Sequence, residues 1–191
     1  MDEPPGRRER KKARTRRVLA DAAMELFQAR GYDAVSVKEV AEAADVSVTT
    51  LFNHFPSKEA LVFDLDGDVE AGLVAAVRDR GGRSVPAALR EHLRLRMADR
   101  PARPEIAAFR SLVEQSPALR AYADRMWLRH ETALAEAIAA DAGVAADDVT
   151  CAALARFALE AVGVARRYPD APGGIDLIFG LLDRGWSVVR P

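Results

Sequence analysis

Between Arg10 and Arg30 the apolar residues Val18, Ala22 and Leu26 recur every four positions, with Leu19, Ala23 and Phe27 beside them, which predicts a helix with one apolar face. Gly31 ends it, and a left-handed cap there would let Tyr32 fold back onto Phe27. The run "SVKE" then reads as a capping box: Ser36 caps the amide of Glu39, Glu39 reaches back, and Val35 and Val40 fall at the staple positions. The helix it opens spans about two turns, to Ala44, because Asp45 tolerates the left-handed conformation that a turn requires. Ser47 supplies the next N-cap, and Pro56 confines the following helix to Val48 through His54. Ser57 caps a long helix with Leu61, Leu65, Val69, Leu73 and Val77 along one side, which reaches Arg80 before "GGRS" breaks it. Prolines at 86, 101, 104, 117, 169 and 172 suit first turns or connections and fence off about five more helices, near 85–99, 104–116, 117–141, 147–168 and 174–189.

The segment after Asp45 has an odd composition for a helix. Val46, Val48, Thr49, Thr50 and Phe52 are β-branched or aromatic and favour a strand on propensity. A strand needs a partner, however, and the one nearby candidate, Ala34 to Val37, runs into the capping box; two such fragments make a marginal hairpin. A helix held by packing is expected instead. Two short helices joined by a tight turn and preceded by a longer helix form a helix-turn-helix unit. Its second helix needs short outer side chains that let the backbone approach base edges, and threonine offers a hydroxyl for a base and a methyl for thymine. Helical spacing turns Val46, Leu51 and Phe55 inward and leaves Val48, Thr49 and Asn53 outward, with Thr50 and Phe52 at the margin. Asn53 can pair with adenine, bond a phosphate, or stand as a solvated polar residue. His54 and Lys58 flank the N-terminus of the next helix, where free amides suit a phosphate; they read as clamps that fix register, or as a helix-end histidine and a surface lysine.

Charge bears on this reading. The chain of 191 residues is 49% hydrophobic and 30% charged, which excludes a wholly disordered protein and allows a sizeable core. A net charge of −1 argues against nucleic acid until the distribution is considered: "RRERKKARTRR" at residues 7–17 holds eight cations and one anion. Such a block is either a solvated disordered arm or a nucleic-acid contact. Cys151 is the only cysteine, so a buried thiol and a reducing compartment are expected. Asp21 and Glu25 interrupt the apolar residues after the basic start, and no apolar run approaches membrane-spanning length, so a cytoplasmic protein is expected. HExxH, GxSxG, Walker and GxGxxG patterns are missing, and His54, His92, His130 and Cys151 lack metal-ligand spacing. Neither an enzyme nor a metal or cofactor is expected.

Farther along, Ile175, Ile178, Phe179, Leu182, Trp186 and Val189 form one stripe, and Ala153, Ala158, Ala161, Gly163 and Ala165 are small enough to admit close neighbours. Both belong either to a dimer interface or to the core of the single chain. Phe109, Leu112, Tyr122, Met126, Trp127, His130 and Phe157 line an apolar pocket or are plain core.

The Phe27 position, the Gly31–Tyr32 pair, "VKEVAEAADVS" and "TLFNHFPSKEAL" together resemble the DNA-binding region of the TetR family of one-component transcriptional regulators, over roughly residues 10–62. Two departures stand out: Asp45 where the family usually has glycine, and Phe52, without a phosphate-bonding hydroxyl, where it usually has tyrosine. The resemblance implies an all-α protein of about nine helices: a disordered basic arm at 1–9, a helix-turn-helix domain at 10–57, and a larger helical effector-binding and dimerisation domain at 58–191. It gives DNA-contact roles to Lys38, Val48, Thr49, Thr50, Asn53, His54 and Lys58, and leaves Phe52 a van der Waals one. The implied partners are a double-stranded palindromic operator, a small apolar or amphipathic effector that releases it, and a second copy of the chain, joined through Ala158, Ala161, Ala165, Ile178, Phe179, Leu182 and Trp186. No membrane partner is implied. The "FRSLVEQSPALR" segment and the C-terminal run are similar to a subgroup described as binding acyl-CoA-like ligands, with Arg110, Arg120 and Arg166 as head-group contacts or as plain surface charge. A ligand-independent DNA-binding protein is the alternative.

Overall fold

The computed structural model describes residues 6–64, 66–98, 103–168 and 173–189, and among them it contains helices and no strand. The helices are α1 (Arg7–Arg30), α2 (Val37–Ala43), α3 (Val48–His54), α4 (Glu59–Val62), α5 (Asp66–Arg78), α6 (Val85–Ala98), α7 (Arg103–Gln115), α8 (Pro117–Ala142), α9 (Val149–Arg167) and α10 (Gly174–Val189). The all-α expectation holds, and the segment of strand-formers is helical. Helix α1 starts at Arg7, so residues 7–9, expected in a disordered arm, are its first turn; residues 1–5 lie outside the described residues.

The chain divides into two compact units: Met1–Asp66 with Ala102–Ala123, and Gly67–Pro101 with Asp124–Pro191. The first therefore takes in α7 and the start of α8, which the resemblance assigns to the larger domain.

In the first unit the local signals determine where helices end. Gly31 has φ 82° and ψ 151°, and its N–H donates to the Phe27 carbonyl. This is a positive-φ extended conformation open essentially to glycine, rather than the left-handed helical cap expected. Tyr32 nonetheless folds back, its ring centroid 5.1 Å from that of Phe27. Ser36 and Glu39 form the reciprocal capping box at 3.2 and 2.8 Å, and the bonds from Ser36 and Arg30 hold the Glu39 carboxyl at about 2. Helix α2 closes with Asp45 at φ 52°. The Asp45 N–H donates to the Glu42 carbonyl and the Val46 N–H to that of Ala41, the paired bonds of a left-handed C-cap. Aspartate thus fills the place usually taken by glycine. Leu19, Ala23, Phe27, Val40, Leu51, Phe55 and Leu61 form the core beneath this turn.

The single long helix expected from Ser57 to Arg80 is two helices. Ser57 does cap the first, accepting from the Ala60 N–H at 3.3 Å, but α4 ends after one turn and Phe63 leaves helical geometry at ψ 46°. The Phe63 ring packs against Phe109 (5.6 Å) and Tyr122 (5.2 Å), while Arg16 takes the Asp64 carbonyl. Leu65 lies outside the described residues. Close by, Ser116, buried at the joint of α7 and α8, donates to Asp33 in the α1–α2 loop.

The second unit has its own core, centred on Leu73, Leu89, Leu134, Ile138, Cys151, Ala155, Ala158 and Phe179. Helix α10 packs on α9 and α6. Ser84 caps α6 and donates to Asp183 of α10; Asp148 caps α9 through the amides of Thr150 and Cys151. No helix among the described residues is long and apolar enough to cross a membrane.

Candidate nucleic-acid interface

Helix α3 spans seven residues, too few to be stable on propensity alone. Both its ends are held by neighbours. At the N-terminus Ser47 Oγ accepts from the Thr50 N–H at 3.0 Å. At the C-terminus Arg16 of α1 donates to the His54 carbonyl at 2.8 Å, lies 4.3 Å over the Phe55 ring, and pairs with Asp64 at 2.7 Å. A guanidinium is suited to this because its planar fork can serve several acceptors at once. Leu51 and Phe55 are fully buried, so the opposite side of α3 is fixed outward.

That outer side consists of Thr49, Phe52 and Asn53, all exposed and spaced to share one helical face. Phe52, at 47% exposure, is a large aromatic left in water. Val48 is half-buried, as is Thr50, whose hydroxyl lies 2.9 Å from Ser47 Oγ and is engaged at the cap. Lys38 is exposed on α2, 3.7 Å from Glu42.

The two expected clamps are placed differently. His54 is half-buried, and burial, followed by the charges of Lys12 and Arg16, pushes its pKa down, so the ring is neutral at neutral pH. Lys58 is turned inward. Its ammonium donates to the Tyr32 carbonyl at 2.6 Å and sits 4.0 Å over the Tyr32 ring, and burial lowers its pKa. It ties the start of α4 to the α1–α2 loop and does not stand ready as an outward phosphate contact. Arg16, by contrast, carries no mark in the sequence. Nothing in a run of eight cations distinguishes the one that turns back onto the fold.

The expected pocket residues are divided between the two units. Phe109 and Tyr122 surround Phe63 in the first unit, and Leu112 is buried there. Met126 and His130 are buried in the second unit, where Trp127 lies edge-on to His130 at 5.5 Å yet is itself exposed. Phe157 is 56% exposed. An open cavity of about 480 Å³ between α5 and α8 is lined by Val74, Arg78, Ala133, Glu136, Ala137, Ala140 and Asp141, and includes none of them. Arg110 and Arg120 are exposed; the Arg166 side chain lies outside the described residues.

The expected dimer residues lie on α9 and α10. Ala158, Ala161 and Phe179 are buried within the single chain, and Ala165, Ile178, Leu182 and Trp186 pack against the same core. They lie where α9 packs on α10. The exposed apolar residues of α10 are instead Leu177, Leu181 and Val188, spaced to form a separate stripe.

A short helix locked at both ends, preceded by a tight turn and presenting Thr49, Phe52 and Asn53 outward, defines a helix-turn-helix DNA-binding protein with an additional helical unit. The chain belongs to the tetR family of transcriptional regulators. Residues 19–65 match the family described as bacterial regulatory proteins, tetR family. Over 152 residues the chain is 34% identical to the HTH-type transcriptional regulator TcmR of Streptomyces glaucescens, covering 75% of this chain and 67% of that one. The HTH-type transcriptional repressor KstR of Rhodococcus jostii is 49% identical over 51 residues, 27% of this chain and 24% of that protein. Among solved structures, Salmonella enterica GusR has the same fold, with a TM-score of 0.51 at 23% identity, covering 88% of this chain and 95% of that one.

Proposed function

We propose that this regulator is a repressor that binds a near-palindromic operator as a homodimer and is released by a small apolar or amphipathic effector. The exposed Thr49–Phe52–Asn53 face of α3 carries the reading. In it, α3 of each protomer enters a major groove, the two grooves roughly 34 Å apart. Thr49 and Asn53 meet base edges, and the Phe52 ring touches a thymine methyl or sugar. Leu177, Leu181 and Val188 of α10, with Phe157 of α9, supply the apolar dimer face. Effector binding favours a conformer that no longer matches the half-site spacing, through a coupling of about 1–3 kcal/mol. The names of TcmR and KstR, a regulator and a repressor, support the class of activity.

Selection of bound duplexes from random-sequence DNA tests this. The expected product is a motif with two-fold symmetry, whose base preference shifts in Thr49→Ala and Asn53→Ala. Failure to enrich any sequence would remove the reading. A ligand-independent DNA-binding protein is the second reading, favoured by the outward placement of Trp127 and Phe157. A thermal-shift panel of metabolites separates the two, since an effector raises the melting midpoint by mass action.

A further inference from the structure

Helix α5 turns Val74 and Arg78 toward α8, and α8 turns Ala133, Glu136, Ala137 and Ala140 back, each set spaced three or four residues apart on one helical face. The alanine side chains of α8 are too small to fill the space between the two helices, and the open cavity of about 480 Å³ is what remains. That volume lies in the range of sites for small molecules. All of it belongs to the second unit.

Its floor and its rim differ in chemistry. The floor is apolar: Ala137 is buried, with Val74 and Ala133 half-buried beside it. The rim is charged. Asp141 is taken by Arg80, which donates to both carboxylate oxygens at 2.9 and 3.0 Å. Arg78 on α5 and Glu136 on α8 are both exposed, and among the described residues neither has an ion-pair or hydrogen-bond partner, although both line the same cavity. An apolar trough with an unpaired cation on one wall and an unpaired carboxylate on the other is complementary to a dipolar molecule with an aliphatic spine. The spine displaces water from the floor while its two ends answer the two walls. A singly charged molecule answers one wall only.

We propose that the groove between α5 and α8 binds a linear amino carboxylic acid, with its carboxylate on Arg78 and its ammonium on Glu136. The site concerns the second unit alone and does not depend on α3 reading DNA. Both ion pairs are exposed and therefore individually weak, so a Kd on the order of 1 mM is expected.

The test is saturation-transfer NMR on the full chain, with ε-aminocaproate as the probe and caproate and hexylamine as analogues that keep the spine and one charge each. The Kd of ε-aminocaproate is expected to lie about threefold below that of either analogue. Arg78→Gln and Glu136→Gln, at exposed positions where the fold is not at stake, should each remove that advantage. Ala140→Leu, which puts a larger side chain into the cavity from an exposed position, should weaken binding of all three. Arg78→Glu reverses the charge of one wall, so it should lose ε-aminocaproate and take hexamethylenediamine in its place. The proposal is overturned by an absence of transfer at concentrations about tenfold above the expected Kd. Equal affinity for the three molecules would overturn it as well, since charge would then not select the ligand. A preference for ε-aminocaproate that survives both glutamine substitutions, or binding untouched by Ala140→Leu, would place the molecule elsewhere on the chain and refute the site.

Discussion

Arg16 and Lys58 show how two cations of the helix-turn-helix unit are used to hold its shape. Arg16 serves the His54 carbonyl, the Asp64 carbonyl and the Asp64 carboxylate together. Arg16→Ala leaves the last carbonyl of α3 and the Asp64 carboxylate without these bonds. It is expected to cost about 1–2 kcal/mol in denaturant titration, the pair being only partly buried. Arg16→Lys should not restore it, because an ammonium cannot span these acceptors. Lys58 has one bond to the Tyr32 carbonyl and a ring beneath it. Lys58→Ala is therefore expected to lower stability by about 1 kcal/mol and to leave the salt slope of DNA binding unchanged. A slope reduced by the equivalent of one phosphate would show that Lys58 swings out to the backbone of DNA.

Among elements, the α2–α3 connection depends on one backbone conformation. Asp45 at φ 52° allows the Ala44–Ser47 turn to satisfy the last carbonyls of α2 and start α3 at the correct angle. A β-branched residue fits this region poorly, so Asp45→Val is expected to cost about 1–2 kcal/mol in thermal or chemical denaturation. The capping box, this turn and the boundaries of α6 to α10 were legible in the sequence, because each is set by residues a few positions apart. The break between α4 and α5 was not. Leu61, Val69, Leu73 and Val77 keep a helical rhythm across it, and the helix stops because Phe63 and Asp64 are drawn to Phe109, Tyr122 and Arg16, partners from distant parts of the chain.

For the molecule as a whole, the revised dimer face gives two contrasting expectations. Leu181→Glu, at a position 64% exposed, should leave the fold intact and shift sedimentation toward the monomer. Ala158→Leu, at a position with no exposure in the single chain, should instead overpack α9 against the core and cost about 1–3 kcal/mol in denaturation. The reverse pattern would return the interface to Ala158 and its neighbours. Helix α10 is ambiguous in sequence because apolar residues occur nearly all round it, Ile175, Ile178 and Phe179 on one side and Leu177, Leu181 and Val188 on another. Periodicity finds both stripes but not the one that faces inward.

Helix type, the helix-turn-helix and the outward placement of Thr49 and Asn53 followed from the order of side chains, since capping, turn chemistry and burial pattern act over a few positions. The direction of Lys58, the role of Arg16, the end of α4 and the inward face of α10 needed the folded chain. Each depends on which distant group comes within a few ångströms, and short-range spacing carries no record of that distance.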